Sequence, residues 1–315
     1  DLRWEKASQY NLGVDLSFYD GKLTATTDIY RKDTKDLLYN KPISATSGFT
    51  NQICNIGAMR NDGLEITLGS NLSTGDFRWQ GNFNISFVKN QLTELIDDDG
   101  ILASGSYHAL KVGEEIGSFY MIKMIGIYQS DEEVPAKQYA QGVRAGDVIY
   151  EDVNKDGQIS ALDVVYLGSS LPKLTGGFGM KFNYDRWSLN LQFNYRYGNK
   201  VINYARMGLE NMSNNSNQSR AINWRWHNEG DIARLPRAAS TMQTITGGTT
   251  QAITHNYLGS DRFVEDASFL RLNYVQLAYS LAPSLLKQIG LQSLRLNLTL
   301  NNLFKITKYS GADPE

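Results

Sequence analysis

The chain of 315 residues is 41% hydrophobic, which is enough to bury a large core and excludes intrinsic disorder. Its 31 basic and 33 acidic side chains give a net charge of -2, so the totals show no electrostatic signal for nucleic-acid binding. A single cysteine, Cys54, excludes an internal disulfide, and the absence of an 18-residue apolar run excludes a transmembrane helix. A transmembrane β-barrel is still compatible with these numbers, because its strands are polar at every second position.

Alternation of apolar and polar residues is the clearest pattern along the chain. It is typical of strands with two unlike faces, because successive side chains point to opposite sides of a sheet. Seven segments alternate clearly: 10–18, 23–30, 64–72, 77–87, 178–184, 187–197 and 294–301. An eighth segment, 269–281, begins with one parity and ends with the other, which predicts a β-bulge near Tyr274.

The two faces of these segments differ in composition. The apolar faces of the seven carry no charged side chain, which fits either the core of a β-sandwich or contact with lipid, where an arginine or lysine at the midplane costs about 2–4 kcal/mol. The opposite faces are rich in Asn, Ser, Thr, Gln and Gly rather than the Lys and Glu of a solvated sheet face, which favours a water-filled lumen. Aromatic residues near strand ends, such as Phe18 and Trp187, suit a barrel's interfacial girdles, although aromatic residues favour strands in general.

The connections between the segments alternate between short and long. The tight turns are 20–21, 73–76, 185–186 and the slightly longer 282–290. The long excursions are 31–60, 89–175 and 198–267. In an antiparallel meander all short turns lie on one side and all long loops on the other, as in an outer-membrane barrel. The sequence therefore predicts an all-β fold, an antiparallel transmembrane β-barrel, and further strands are expected from outside this sequence because open edges in lipid would leave backbone groups unpaired.

An acidic stretch inside the largest excursion has the spacing of an EF-hand-type calcium loop. Its predicted oxygen ligands are Asp152, Asn154, Asp156, Gln158, Ser160 and Asp163. Gly157 would permit the sharp turn of such a loop, whereas flanking helices and a tandem second copy are not evident in the sequence. The alternative is a polar turn without metal; we predict bound Ca²⁺.

Other candidates for chemistry are weaker. Trp224, Arg225 and Trp226 offer two indoles beside a guanidinium, which suits stacking on a sugar, and packing of the loop against itself is the alternative. The three histidines, His108, His227 and His255, lie far apart, and the acidic clusters 97–99 and 131–133 are interpreted as solvated turns. The polar tract 211–219 is interpreted as a mobile loop tip. No defensible catalytic pair occurs, so the sequence predicts a protein that is not an enzyme.

Several strings resemble SusC/RagA-type TonB-dependent outer-membrane transporters. In chain order they are 2–5, 11–15, 36–38, 55–57, 61–65, 146–157, 197–200, 235–238, 260–272, 302–303 and 307–315. The string SDRFVEDASFLRL at 260–272 and the ending TKYSGADPE at 307–315 are close to diagnostic. The resemblance spans nearly the whole chain.

The resemblance implies a 22-stranded barrel in the cell outer membrane, in contact with its lipid, with an N-terminal plug. Such a barrel imports oligosaccharides or peptides with energy from the TonB complex, and a SusD-like lipoprotein caps its extracellular face. Residues 1–315 are then a portion of one barrel domain with extracellular loops 31–60, 89–175 and 198–267, and the plug and the terminal strand are expected to lie outside this sequence. Four lumen side chains are expected to face the plug: Arg78, Lys181, Arg196 and Arg295. The alternative function is a secreted, calcium-stabilised β-sandwich that binds carbohydrate.

Overall fold

Eight long strands form one continuous antiparallel sheet in which each strand pairs with its neighbours in the chain. They are β1 (Lys6–Phe18), β2 (Leu23–Lys35), β3 (Gly57–Thr74), β4 (Phe77–Leu95), β5 (Leu174–Tyr184), β6 (Trp187–Tyr197), β7 (Phe269–Ser280) and β8 (Arg295–Thr307). The computed structural model describes residues 2–96, 101–102, 107–213, 216–239, 242–244, 250–252, 255–288 and 290–314. The predicted acidic cluster 97–99 and residues 214–215 of the predicted loop tip lie outside these ranges.

Shorter elements decorate the connections. Within the described ranges the paired short strands are Leu38–Pro42 with Asn51–Asn55, Ile101–Leu102 with Ala109–Leu110, Ser118–Ile122 with Val164–Ser169, Met124–Ile127 with Val148–Tyr150, Lys200–Ile202 with Val264–Asp266, and Met242–Thr244 with Thr250–Ala252. The α-helices are α1 (Ala136–Ala140), α2 (Tyr204–Leu209) and α3 (Pro283–Gln288). The 3₁₀ turns are Ala45–Ser47, Asp131–Glu133, Ala161–Asp163, Arg220–Trp224, His255–Tyr257 and Asp261–Phe263.

Among the described residues, none of the helices combines the length and the apolar character needed to cross a membrane.

Strand register gathers the alternating apolar residues onto one face of the sheet. Ile29 of β2 lies opposite Leu64 of β3, and Leu64 lies opposite Phe87 of β4. This face is not covered by a second layer in the described part of the chain, since Leu12 is 69% exposed and Leu298 is 60% exposed. The β-sandwich alternative is therefore wrong, because a sandwich hides these side chains between two sheets.

The height of the apolar face matches a bilayer. On β4 the outward apolar side chains run from Phe77 to Phe87, and ten steps of about 3.3 Å along a strand tilted by about 40° span about 25 Å. That is the height of the apolar band around an outer-membrane barrel. The antiparallel barrel sheet predicted from the alternation is confirmed, and we call this outward surface the apolar belt.

The β-bulge predicted near Tyr274 is also confirmed. The register of β7 against β8 shifts between Leu272 and Tyr274, and the register against β6 shifts opposite Gln192 and Phe193. The bulge returns the apolar parity of β7 to the outward face, so that Leu272 and Val275 both pair with outward residues of β8.

Short turns lie at one end of the sheet and long loops at the other. The short connections are 19–22, 75–76, 185–186 and 281–294, the last containing α3. The long ones are a first loop (36–56), a second loop (96–173) and a third loop (198–268).

The strands reach farther than the alternation predicted, because charged pairs continue the hydrogen-bonded sheet above the apolar belt. Arg31 meets Asp62 at 2.6 Å and Arg60 meets Asp33 at 2.7 Å, so these residues extend β2 and β3 into the predicted 31–60 excursion.

Candidate functional site

The second and third long loops pack into one body at the end of the sheet, which we call the loop assembly (107–173 and 198–268). Phe119 and Met121 of the second loop form an apolar cluster with Ile202 and Phe263 of the third. Phe263 and Met121 are almost completely buried. Burial of large apolar side chains between the loops gives this region a core of its own, so its surface is a defined shape and not a set of independent loops.

Asp147 is the centre of a buried polar cluster that joins the two loops. Its carboxylate accepts two hydrogen bonds from the guanidinium of Arg237, at 2.7 and 3.0 Å, and one from the side-chain amide of Asn256 at 2.7 Å. The backbone N–H of Arg144 donates to the same carboxylate at 2.8 Å. Only 1% of Asp147 is exposed, and these charge-assisted bonds satisfy the buried charge.

His255 extends this cluster beside Asn256. Its Nε2 atom lies 2.6 Å from the carbonyl oxygen of Val148, and the hydroxyl of Tyr150 donates to the carbonyl of His255 at 2.9 Å. Burial lowers the pKa of His255, although the Val148 carbonyl and the Asp147 charge oppose the shift. Burial also raises the pKa of Tyr150. Both side chains are therefore neutral near pH 7, as an apolar setting requires.

A second polar cluster forms where α2 meets the end of the third loop. Arg206 donates to Glu210 at 2.8 Å and to Glu265 at 3.2 Å, and the Arg262 Nε atom lies 3.7 Å from Glu210. Burial would raise the pKa of Glu265, but hydrogen bonds from the N–H and hydroxyl of Ser310, both at 2.7 Å, help to hold it below its ordinary value. The cluster fixes α2 and the chain beyond β8 against each other.

Trp226 is part of the packing of the loop assembly. Its indole covers Gly146, whose φ is +84° and where an added Cβ would lie 2.2 Å from the ring. The indole N–H donates to the side-chain carbonyl of Gln129 at 3.2 Å. Arg225 donates to the carbonyl of Ile222 at 3.2 Å, while the Trp224 ring is 78% exposed. Of the three predicted ligand-binding residues, Trp224 alone presents most of its ring to solvent, and the stacking role of the three stays a prediction.

The acidic loop 152–163 closes through its own backbone. The Asp152 carboxylate accepts from the N–H groups of Asp156 and Gly157, at 3.2 and 2.8 Å, and the buried Asp163 accepts from Val153 and Ser160 at 3.0 and 2.8 Å. Gly157 has a φ of +80°, the sharp turn that the motif requires. Among the described residues, no group of three or more His, Cys, Asp or Glu side chains is arranged to hold a metal ion.

Calcium binding in this loop accordingly stays a prediction. Its predicted ligands remain Asp152, Asn154, Asp156, Gln158, Ser160 and Asp163. The carboxylates are hydrogen-bonded without an ion, and an oxygen-rich loop of this kind suits a hard cation.

The inward face of the sheet is polar and carries a cavity of about 350 Å³. Its inward-pointing lining residues are Gln80, Asn82, Lys181, Asn190 and Gln192. Side-chain amides both donate and accept hydrogen bonds, and Lys181 adds one positive charge, so this wall can hold hydroxyl, amide or carboxylate groups. The remaining predicted lumen residues, Arg78, Arg196 and Arg295, share the inward parity, and their contact with a plug stays a prediction.

The buried clusters were missed as functional units by sequence reasoning. Asp147 and Arg237 lie 90 residues apart, and no local pattern pairs them. The strings 146–157, 235–238 and 260–272 were a usable signal, since they contain both of these residues and also Arg262 and Glu265. The acidic cluster 131–133 is not a purely solvated turn either, because Asp131 accepts from the N–H of Ala145 at 2.7 Å.

The chain is similar to known outer-membrane receptors over its whole length. A family described as "TonB dependent receptor-like, beta-barrel" matches residues 1–303. TonB-dependent receptor P39 of Formosa agariphila is 31% identical, with 100% of this chain and 33% of that protein covered. TonB-dependent receptor SusC of Bacteroides thetaiotaomicron is 27% identical, with 100% of this chain and 30% of that protein covered.

A solved structure of the RagAB peptide transporter superimposes with a TM-score of 0.78 at 27% identity, covering 99% of this chain and 33% of the other. The chain thus spans about a third of the length of these relatives. The match over residues 1–303 agrees with the observed fold, an eight-stranded sheet with one apolar and one polar face and with long loops at one end. Proteins of this kind are located in the outer membrane. The chain belongs to the TonB-dependent receptor-like β-barrel family.

Proposed function

We propose that the protein containing this chain imports oligomeric nutrients, oligosaccharides or peptides, across the outer membrane in a TonB-dependent manner and without catalysis. The observation that carries the proposal is the two-faced sheet: an apolar belt of bilayer height outside and an amide-lined wall inside. A polar wall suits a ligand rich in hydroxyl or amide groups, which must be held weakly enough to be released. The SusC and RagAB likenesses support the same class of function.

The ligand class follows from the chemistry of the inner wall. Gln80, Asn82 and Asn190 supply neutral donors and acceptors, which suit both sugar hydroxyls and peptide backbone groups. Lys181 adds a charge that would favour a ligand with a carboxylate. One solved neighbour is named a peptide transporter, and this supports peptides as well as oligosaccharides in the proposal.

Binding and uptake measured on the full-length protein would test this function. The probes are a peptic digest of casein and a size ladder of dextran oligosaccharides, with bound species identified by mass spectrometry. We expect one of the two probes to bind, and Asn82→Ala combined with Asn190→Ala to weaken binding about tenfold, as loss of two hydrogen bonds of about 0.5–1.5 kcal/mol each implies.

Met180→Leu is the matched control. Met180 lies on β5 next to Lys181, the residue opposite Asn190, but it has the outward parity, and the change to leucine conserves side-chain volume. The proposal fails if neither probe binds, or if uptake into cells is unchanged when the TonB complex is deleted.

A SusD-like surface lipoprotein is the proposed partner on the long-loop side. Trp224 and Ile232 of the third loop are largely exposed and apolar, as residues that anchor a protein interface commonly are. Co-purification of the lipoprotein with wild-type protein should be reduced by Trp224→Ser and Ile232→Ser together. If the double variant retains the partner but loses oligosaccharide binding, Trp224 contacts ligand instead.

A further inference from the structure

Two rows of charged residues continue the outward face above the apolar belt. Strand register places Arg31, Asp62 and Lys89 opposite one another on β2, β3 and β4. Each lies two residues beyond an outward apolar residue, so the first charged row sits about 5 Å above the belt on strands tilted by about 40°. Asp33 and Arg60 form the next row. These side chains therefore share the outward parity and point toward the surrounding membrane.

The rows lie at the long-loop end of the barrel, which in this family is the extracellular side. Their position beyond the hydrocarbon is consistent with the large cost of an arginine or lysine at the bilayer midplane. At this level the outward face meets the headgroups of the outer leaflet, not its acyl chains. The chemistry of these side chains is thus matched to a headgroup.

Each carboxylate of the two rows forms an ion pair with an arginine, whereas the one lysine of these rows, Lys89, forms none within 4.0 Å in the described part of the chain. Asp62 binds Arg31 at 2.6 Å and Asp33 binds Arg60 at 2.7 Å. Within the described residues no carboxylate oxygen lies within 4.0 Å of the Lys89 ammonium. Higher on the same face Lys6 lies opposite Lys35. The surface keeps positive charge available for an anionic partner.

A surface depression of about 1170 Å³ joins the belt to these rows. Leu12, Ile29, Leu64 and Phe87 line its lower part. The charged side chains that line the rest are Arg31, Arg60 and Lys89 together with Asp33, Asp62 and Glu115. Lys173 of the second loop closes one side, and its aliphatic stem packs over Gly198. The depression is therefore amphipathic along the membrane normal, apolar below and charged above, where its four basic side chains outnumber its three acidic ones.

We propose that this depression binds the phosphorylated headgroup of an outer-leaflet glycolipid, with the lipid's acyl chains on the apolar floor. Arginine and lysine are the side chains that recognise phosphate, by bidentate hydrogen bonds and by charge respectively. The arginines are held in place by Asp33 and Asp62, while Lys89 and Lys173 form no ion pair within 4.0 Å among the described residues and supply the positive excess of the depression. An amphiphile whose phosphate sits directly above its chains fits both parts of the depression at once.

The test uses the full-length protein in detergent and measures lipid binding by native mass spectrometry. The probes are bis-phosphorylated lipid A, the same lipid with both phosphates removed, phosphatidylglycerol and inorganic phosphate. We expect bis-phosphorylated lipid A to bind most tightly. Lys89→Gln combined with Lys173→Gln should weaken it about 25-fold, because each basic residue near an anionic leaflet is worth about fivefold.

Lys32→Gln is the matched control, because Lys32 is the neighbour of Arg31 on the same strand and has the opposite, inward parity. It should leave lipid A binding unchanged. The proposal is overturned if dephosphorylated lipid A or phosphatidylglycerol binds equally well, if millimolar inorganic phosphate displaces the lipid, or if the double lysine variant binds like the wild type. None of these readouts depends on nutrient import, so the inference can fail while the proposed function stands.

Discussion

Replacing Asp147 with asparagine should detach the second and third long loops from each other. The side chain keeps its shape but loses the charge to which Arg237 donates at 2.7 and 3.0 Å. It also places an amide NH₂ group at one of the two oxygen positions, where it faces a guanidinium N–H of Arg237 and either the N–H of Arg144 or the amide of Asn256, all of which are donors. Asp147→Asn therefore replaces the anionic partner of Arg237 by a neutral amide, in a setting where Asp147 is buried.

The magnitude follows from the burial of the pair. Breaking a buried ion pair by changing one partner costs about 3–5 kcal/mol. The side chain of Asp147 is 2% exposed but that of Arg237 is 25% exposed, which places the cost near the lower limit, about 3 kcal/mol. Since 1.4 kcal/mol is a factor of ten, the opening equilibrium of the loop assembly should increase about 100-fold.

Native-state hydrogen exchange of the full-length protein, read on peptides covering 144–150 and 235–239, measures that opening. Glu151→Gln is the control, because Glu151 pairs with Lys123 at 3.2 Å in the same loop while both side chains are more than 40% exposed. An exposed pair is worth about 0–1 kcal/mol, so the control should exchange less than about fivefold faster. Equal exchange rates in Asp147→Asn and Glu151→Gln would refute the reasoning.

Four further results are expected. Gly146→Ala should destabilise the loop assembly, because the new methyl group meets the Trp226 ring and the φ of +84° disfavours alanine. Limited proteolysis should cut the third loop of this variant faster than that of the control Gly208→Ala, since Gly208 is surrounded by open space. The pKa of His255 is lowered in the folded loop, so the unfolded loop binds a proton more readily, and the stability of the loop assembly is present above pH 6.5 and is lost as pH falls below it. Opening of the loop assembly, measured by hydrogen exchange and corrected for the intrinsic effect of pH on exchange, should be more frequent at pH 5.5 than at pH 7.5, and equal opening would contradict this. Leu300→Arg on the apolar belt should reduce folding stability in liposomes by about 2–4 kcal/mol, and the inward Thr299→Arg should not. Calorimetric titration with calcium should show binding that Asp156→Ala removes, and no heat at millimolar calcium would sink the predicted site.

Alternation alone was enough to predict which residues of each strand share the apolar face. Alternation is a local property of the backbone, so the outward positions of Ile29, Leu64 and Leu298 could be assigned without knowing any partner strand. The bulge near Tyr274 was readable for the same reason, since one extra residue inverts the parity of everything after it. Loop lengths then assigned the two ends of the barrel.

The arrangement above the apolar belt and inside the long loops could not be predicted from the sequence and is visible only in the folded chain. Arg31 and Asp62 continue the sheet although they are charged, because their strands are already in register when they leave the hydrocarbon. Trp226 could equally have stacked on a sugar, and its packing on Gly146 depends on how two distant loops meet. The same holds for Asp147 and Arg237. Contacts between residues so far apart are set by the path of the chain and by burial, and neither leaves a periodic trace in the sequence.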